Sequence, residues 1–154
     1  MKIPDTNLWV FGTLETHDRA ERLLADIERG ETTAAINAYI VQEALDAFDR
    51  TPGLSRAERD EVKTLFLTRL SRMTGLIEAP SSREIAEDLL SERRSASKTL
   101  LLGRVLDVQP KDIPILVLAF EHEQREPTIL TNDESFAALE PGEYGLSIRL
   151  RHVA

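Results

Sequence analysis

An α/β fold with a central, mainly parallel sheet is what this 154-residue sequence predicts, on three observations. Short apolar segments rich in β-branched residues alternate with longer stretches of helical period, the pattern of strands joined by crossover helices. Breakers such as Thr51-Pro52-Gly53 and Gln109-Pro110 separate the segments. Acidic residues stand where several apolar segments begin or end, and open α/β sheets bind ligands outside the carboxyl ends of their strands.

Taken in order, Lys2 to Val10 reads as a short buried strand carrying Asp5 at its end, with Pro4 blurring its start. Thr16-His17-Asp18 supplies caps for a helix in which Ala20, Leu23, Leu24 and Ile27 recur at helical spacing, and Gly30 stops it. Thr32 to Ile36 is a second strand. From Asn37 the period turns helical through Tyr39, Ile40, Glu43, Ala44, Ala47 and Phe48. Ser55-Arg56-Ala57-Glu58 resembles a capping box and opens a helix through Val62, Phe66 and Leu70. Gly75 to Pro80 is a short strand. Ser81-Ser82-Arg83-Glu84 opens a helix burying Ile85, Ala86, Leu89 and Leu90, and Leu100 to Val108 is a further helical segment. Ile113 to His122 is a buried helix that tolerates Pro114 in its first turn. Thr128 to Thr131 is a strand, Glu134 to Leu139 a short helix and Leu146 to Val153 the last strand.

A chain of this length suits one domain and buries roughly two-thirds of its unfolded surface. Its 42% hydrophobic and 30% charged content is that of a globular protein. No apolar run approaches the roughly 20 residues that span a bilayer. Met1-Lys2-Ile3-Pro4-Asp5 has no signal-like apolar region, so a cytoplasmic location is expected. The absence of cysteine excludes disulfides, zinc–thiolate sites and thiol nucleophiles. The net charge of −8 argues against nucleic-acid binding through a broad basic surface, although local arginines or a bound metal can reverse the sign at a site. Lysines are scarce beside arginines, and the acidic, lysine- and cysteine-poor composition is similar to that of proteins from salt-loving archaea.

Asp5, Glu43, Asp112 and Asp133 are far apart in sequence, yet each borders an apolar segment. If the fold brings these carboxylates together they repel, unless a cation sits among them. Hard oxygen donors of this kind suit Mg²⁺ or Mn²⁺. Each acid also has a plainer reading. Asp5 could be a turn or N-cap aspartate, Glu43 a solvent-facing helical glutamate, and Asp112 the cap of the helix after it. Glu134 competes with Asp133, and Asp107 with Asp112. His17, His122 and His152 lack metal-ligand spacing and read as surface or helix-end residues, with Glu121-His122-Glu123 a solvated helix end. Arg93, Arg94, Lys98 and Arg104 form the densest basic stretch, either an ordinary charged face or an arm for an RNA backbone or acidic partner. Arg149 and Arg151 share one face of the last strand.

Asp5-Thr6-Asn7, Glu43, Asp112-Ile113-Pro114 before an apolar helix, and Thr131-Asn132-Asp133-Glu134-Ser135-Phe136 together resemble the PIN-domain ribonucleases. The likeness runs from Ile3 to about Val153. It implies a single PIN-like domain over residues 1–154, of three-layer α/β/α architecture with a central, mainly parallel sheet. It further implies a ribonuclease using Mg²⁺ or Mn²⁺, with Asp5, Glu43, Asp112 and Asp133 around the metal and Asn7 and Thr131 supporting them. The size resembles VapC-type toxins of toxin–antitoxin pairs. A homodimer and a small antitoxin covering the acidic cleft, with an arginine against the carboxylates, follow from that likeness. Other readings are an RNA-processing nuclease that is not a toxin, a silent PIN-like module that binds RNA or protein, and a phosphatase with a nucleophilic aspartate. The last lacks the usual Asp-x-Asp, since Asn7 stands in the second place. No Gly-rich phosphate loop supports a nucleotidase.

Overall fold

The structure, a computed structural model, describes residues 1–81, 101 and 103–154. Its strands are β1 (Lys2–Pro4), β2 (Ala34–Ala35), β3 (Leu76–Glu78), β4 (Thr128–Thr131) and β5 (Arg149–His152). They form one sheet in the order β3-β2-β1-β4-β5, and every neighbouring pair is parallel. Among the described residues, the helices that pack around it include α1 (Thr6–Thr13), α2 (Asp18–Glu28), α3 (Ala38–Asp49), α4 (Arg56–Arg72), α5 (Ile113–Glu121) and α6 (Glu134–Ala137). A sheet flanked by helices is the expected α/β/α architecture, and the sheet is wholly parallel where a mainly parallel one was expected.

The opening segment departs most from expectation. β1 ends at Pro4, and Leu8-Trp9-Val10-Phe11 lies in α1 instead of continuing the strand. Capping chemistry outweighs the apolar run here. Asp5 is extended, and its carboxylate accepts the Leu8 N–H at 3.1 Å, which starts the helix. Leu8, Trp9, Val10, Gly12 and Thr13 are all buried, so α1 is apolar nearly all round and shows no amphipathic period to read. Strands β2 and β5 are also shorter than the segments Thr32–Ile36 and Leu146–Val153 suggested.

Elsewhere the local signals hold. His17 caps α2, Asn37 caps α3, and Ser55 with Glu58 forms the capping box of α4. Pro114 sits in the first turn of α5. The helix expected to open at Ser81-Ser82-Arg83-Glu84 and to bury Ile85, Ala86, Leu89 and Leu90 lies, beyond Ser81, outside the described residues. Of the segment Leu100–Val108, residues 103–106 are helical, and Asp107 follows in the left-handed region with φ 54°.

The core joins these elements through Trp9, Phe48 and Phe66. Phe66 meets Trp9 and Phe48 edge-on, with ring centroids 6.4 and 5.5 Å away. It is the one buried residue of α4, so it anchors that helix. The Trp9 indole N–H donates to the Pro4 carbonyl at 3.1 Å, tying α1 to the strand end that precedes Asp5. Among the described residues, no helix is long and apolar enough to cross a membrane.

Gly75 sets the entry to β3. A β-carbon there would lie 2.1 Å from the Thr32 carbonyl oxygen and 2.7 Å from that of Ile27. Both are backbone atoms and cannot rotate away. Gly75→Ala is therefore expected to lower unfolding free energy by roughly 2–3 kcal/mol, measured by urea denaturation. A variant as stable as the parent would contradict this close packing.

Candidate functional site

The sheet order makes β1 the strand at which the chain changes direction. From β1 it builds outward through β2 and β3, then crosses back to add β4 and β5 on the other side. The carboxyl ends of β1 and β4 thus flank a topological switch point, where open parallel sheets form ligand crevices. The pairs Lys2↔Thr128, Ile3↔Ile129 and Pro4↔Leu130 fix the register. Asp5, directly after β1, donates its N–H to the Leu130 carbonyl at 2.8 Å and lies beside Thr131-Asn132-Asp133.

Asp5 is 6% exposed and Thr131 fully buried. Besides the Leu8 N–H, the Asp5 carboxylate receives the Thr131 hydroxyl and the Asn132 N–H. Thr131 Oγ1 in turn accepts the Asp133 N–H at 3.0 Å, so one hydroxyl links two of the acids. Burial pushes the Asp5 carboxyl above its ordinary value, against the pull of those hydrogen bonds and of the Lys111 charge.

Asp133 Oδ1 accepts the Ser135 and Phe136 N–H groups at 2.9 and 3.1 Å and caps α6. Its Oδ2 lies 3.8 Å from the Lys111 ammonium. Glu134, the competing acid, is an exposed first-turn residue of α6.

Asp112 behaves differently. It ends the 3₁₀ turn Pro110–Asp112 and stands at the N-cap of α5, yet its side chain makes no capping hydrogen bond. It is 7% exposed. Burial, together with the charges of Asp133 and Asp5, pushes its carboxyl up to about 6, against the pull of Lys111. The plain helix-capping reading of Asp112 therefore does not account for it. A cleft of about 460 Å³ opens beside Asp112 and Asp133, walled in part by Gln109, Ser135, Val108 and Phe136. Asp107, the rival acid, lines the same cleft but is exposed at the turn after residues 103–106.

Of the four acids, Asp133 and Asp5 bear electrostatically on Asp112. Glu43 is half-buried on α3, and no hydrogen bond or ion pair among the described residues joins it to them. Its helix is nevertheless tied to the site, since the Asn37 amide donates to the Pro114 carbonyl at 3.2 Å, just past Asp112. Of the two residues expected to support the acids, Thr131 bonds at Asp5 and at the Asp133 N–H, while the Asn7 amide donates to Asn132 Oδ1 at 2.9 Å. Asn132 and Lys111 are the participants that the sequence reading overlooked. Both flank a selected acid in sequence, and that adjacency was the available signal.

The histidines have more structural employment than surface residues would. His17 Nδ1 accepts the Ala20 N–H at 3.3 Å as the α2 cap. His122 pairs with Glu78 across the fold, and Glu123 accepts the Ser147 N–H at 3.0 Å, so that helix end is not merely solvated. His152 contacts the Asn132 carbonyl at 3.2 Å. Arg149 and Arg151 are exposed on one face of β5. Arg93, Arg94 and Lys98 lie outside the described residues.

As positioned, no three or more histidine, aspartate or glutamate side chains among the described residues form a ready metal cage. The donors nonetheless fit a hard divalent cation in kind. Mg²⁺ keeps several waters and needs only one or two direct carboxylates. Asp112, the Oδ2 of Asp133 and the Oδ2 of Asp5 supply oxygens not committed to capping. Comparison with models of known protein families gives no match, and comparison with curated proteins gives no significant relative.

Because the Asp112 carboxyl is raised from 3.8 to about 6, the folded chain holds this proton more tightly than the unfolded chain. The associated stability is present below the unfolded value and is lost as pH rises through the folded one. Without metal, the protein is expected to gain stability on going from about pH 7.5 to about pH 5.5. Asp112→Asn should flatten that dependence and add roughly 1–3 kcal/mol at the higher pH. Chemical denaturation in EDTA measures both, and an unchanged pH slope in the variant would refute the burial-driven shift.

Proposed function

We propose that this chain is a ribonuclease of the PIN-domain type that hydrolyses RNA phosphodiesters with Mg²⁺ or Mn²⁺. The observation that carries the proposal is Asp112, a buried helix-start carboxylate that does not cap and is crowded by Asp5 and Asp133 at the switch point. Evolution has little structural reason to bury such a group there, whereas a divalent cation gives it a role. The choice of RNA as substrate rests on the resemblance carried by Asp5-Thr6-Asn7, Glu43, Asp112-Ile113-Pro114 and Thr131-Asn132-Asp133. The toxin role, an antitoxin partner and a homodimer extend the same reading.

A divalent ion would supply charge neutralisation for the phosphodiester and a more acidic water. Asp112 and Asp133 would hold it, directly or through water, with Asp5 held in place by Thr131, Leu8 and Asn132. Glu43 would approach from α3. One of the carboxylates would accept the proton of the attacking water, itself or through a second water. The cleft beside Asp112 and Asp133 leaves room for the nucleotide that carries the scissile phosphate.

A second reading draws on the same geometry. With Lys111 against Asp133 and no ready metal cage among the described residues, the chain could instead be a silent module that binds RNA or protein.

Incubation with labelled structured RNA in Mn²⁺, in Mg²⁺ and in EDTA separates the two. Asp5→Asn retains an N-cap acceptor for Leu8 N–H and so preserves the fold. The expected result is metal-dependent cleavage that falls at least about 100-fold in this variant. Equal cleavage by parent and variant would remove Asp5 from the site. No cleavage with retained RNA binding would favour the silent module.

A further inference from the structure

Lys111 has no part in the metal-site reading, yet it stands within the acid group. It occupies the 3₁₀ turn Pro110–Asp112, immediately before Asp112. Its ammonium lies 3.8 Å from Asp133 Oδ2, the oxygen left over once Oδ1 has capped α6. Among the described residues it is the one cation whose charge eases the ionisation of both Asp5 and Asp112.

An ordinary surface ion pair would be the simplest account of that contact. Such pairs contribute about 0–1 kcal/mol, and half of the Lys111 side chain is exposed. Its surroundings are less ordinary. Asp5 and Asp112 are buried, and Lys111 partly offsets the cost of ionising both. A weakly held ammonium on a flexible four-carbon stem is also easy to displace, unlike the planar fork of an arginine.

Resting on the metal-site reading, we propose that Lys111 is a tethered counter-cation. It sits against the Asp133 oxygen that a divalent ion would contact and moves aside when the ion arrives. Lys111 balances part of the negative charge of the metal-free protein. The ion brings two charges where the ammonium brings one, so it wins, but only after displacing a tethered competitor. Metal affinity is thereby held below what the aspartates alone would give.

Calorimetric titration with Mn²⁺, alongside melting in EDTA, tests this with Lys111→Met and Lys111→Arg. Lys111→Met keeps much of the stem and removes the charge. It should bind Mn²⁺ about 5- to 30-fold more tightly, an advantage that shrinks in high salt, and should melt lower in EDTA. Lys111→Arg should bind no more tightly than the parent. Equal or weaker Mn²⁺ binding by Lys111→Met would overturn the counter-cation role while leaving the metal site standing. Failure of every protein to bind Mn²⁺ would overturn the metal-site reading and this inference together.

Discussion

The pairing of β1 with β4 is the constraint on which the candidate site depends. Its register carries Asp5 to the Leu130 carbonyl and beside Thr131, so residues about 125 positions apart share one hydrogen-bond network. The pairing also places that network at the strand where the chain reverses its direction of growth. The indole of Trp9 reinforces it from the core side through the Pro4 carbonyl. Shifting this register by one residue would turn Ile3 and Ile129 out of the core, which is why burial specifies it strongly.

The acids divide their oxygens between two tasks. Asp5 and Asp133 each use an oxygen to start a helix, α1 and α6 respectively, so folding itself holds them in place. Thr131 couples the two through a single buried hydroxyl. Asp112 makes no such capping bond among the described residues, and its raised pKa, caused first by burial, marks that difference. A buried carboxylate without a compensating structural bond destabilises a fold, and such groups concentrate at functional sites. Lys111 relieves part of that cost from the solvent side.

Much of the fold was legible because its signals are local. The cap-like Thr16-His17-Asp18, the capping box at Ser55, the breaker at Thr51-Pro52-Gly53 and the β-branched run Thr128–Thr131 each act within a few residues. The opening segment hides its helix because α1 is buried on nearly all sides and has no polar face to betray its period. Of the two readings of Asp5, the N-cap is the one its local geometry displays, since its carboxylate accepts the Leu8 N–H at the start of α1. The roles of Asn132 and of the Glu78–His122 pair are not legible in the sequence, because their partners are set by tertiary contact, which a local pattern cannot carry. Motif order points to Glu43, and order does not determine how near a helical side chain comes to the strands.

The most direct test is crystallographic: crystals grown with excess Mn²⁺, with data collected where manganese scatters anomalously. A peak within about 2.0–2.6 Å of an Asp112 or Asp133 oxygen, close to Asp5 and with the Lys111 ammonium moved away, is the predicted result. No peak among these aspartates at saturating Mn²⁺ would contradict the metal site and leave the acids as structural caps around an unexplained buried carboxylate.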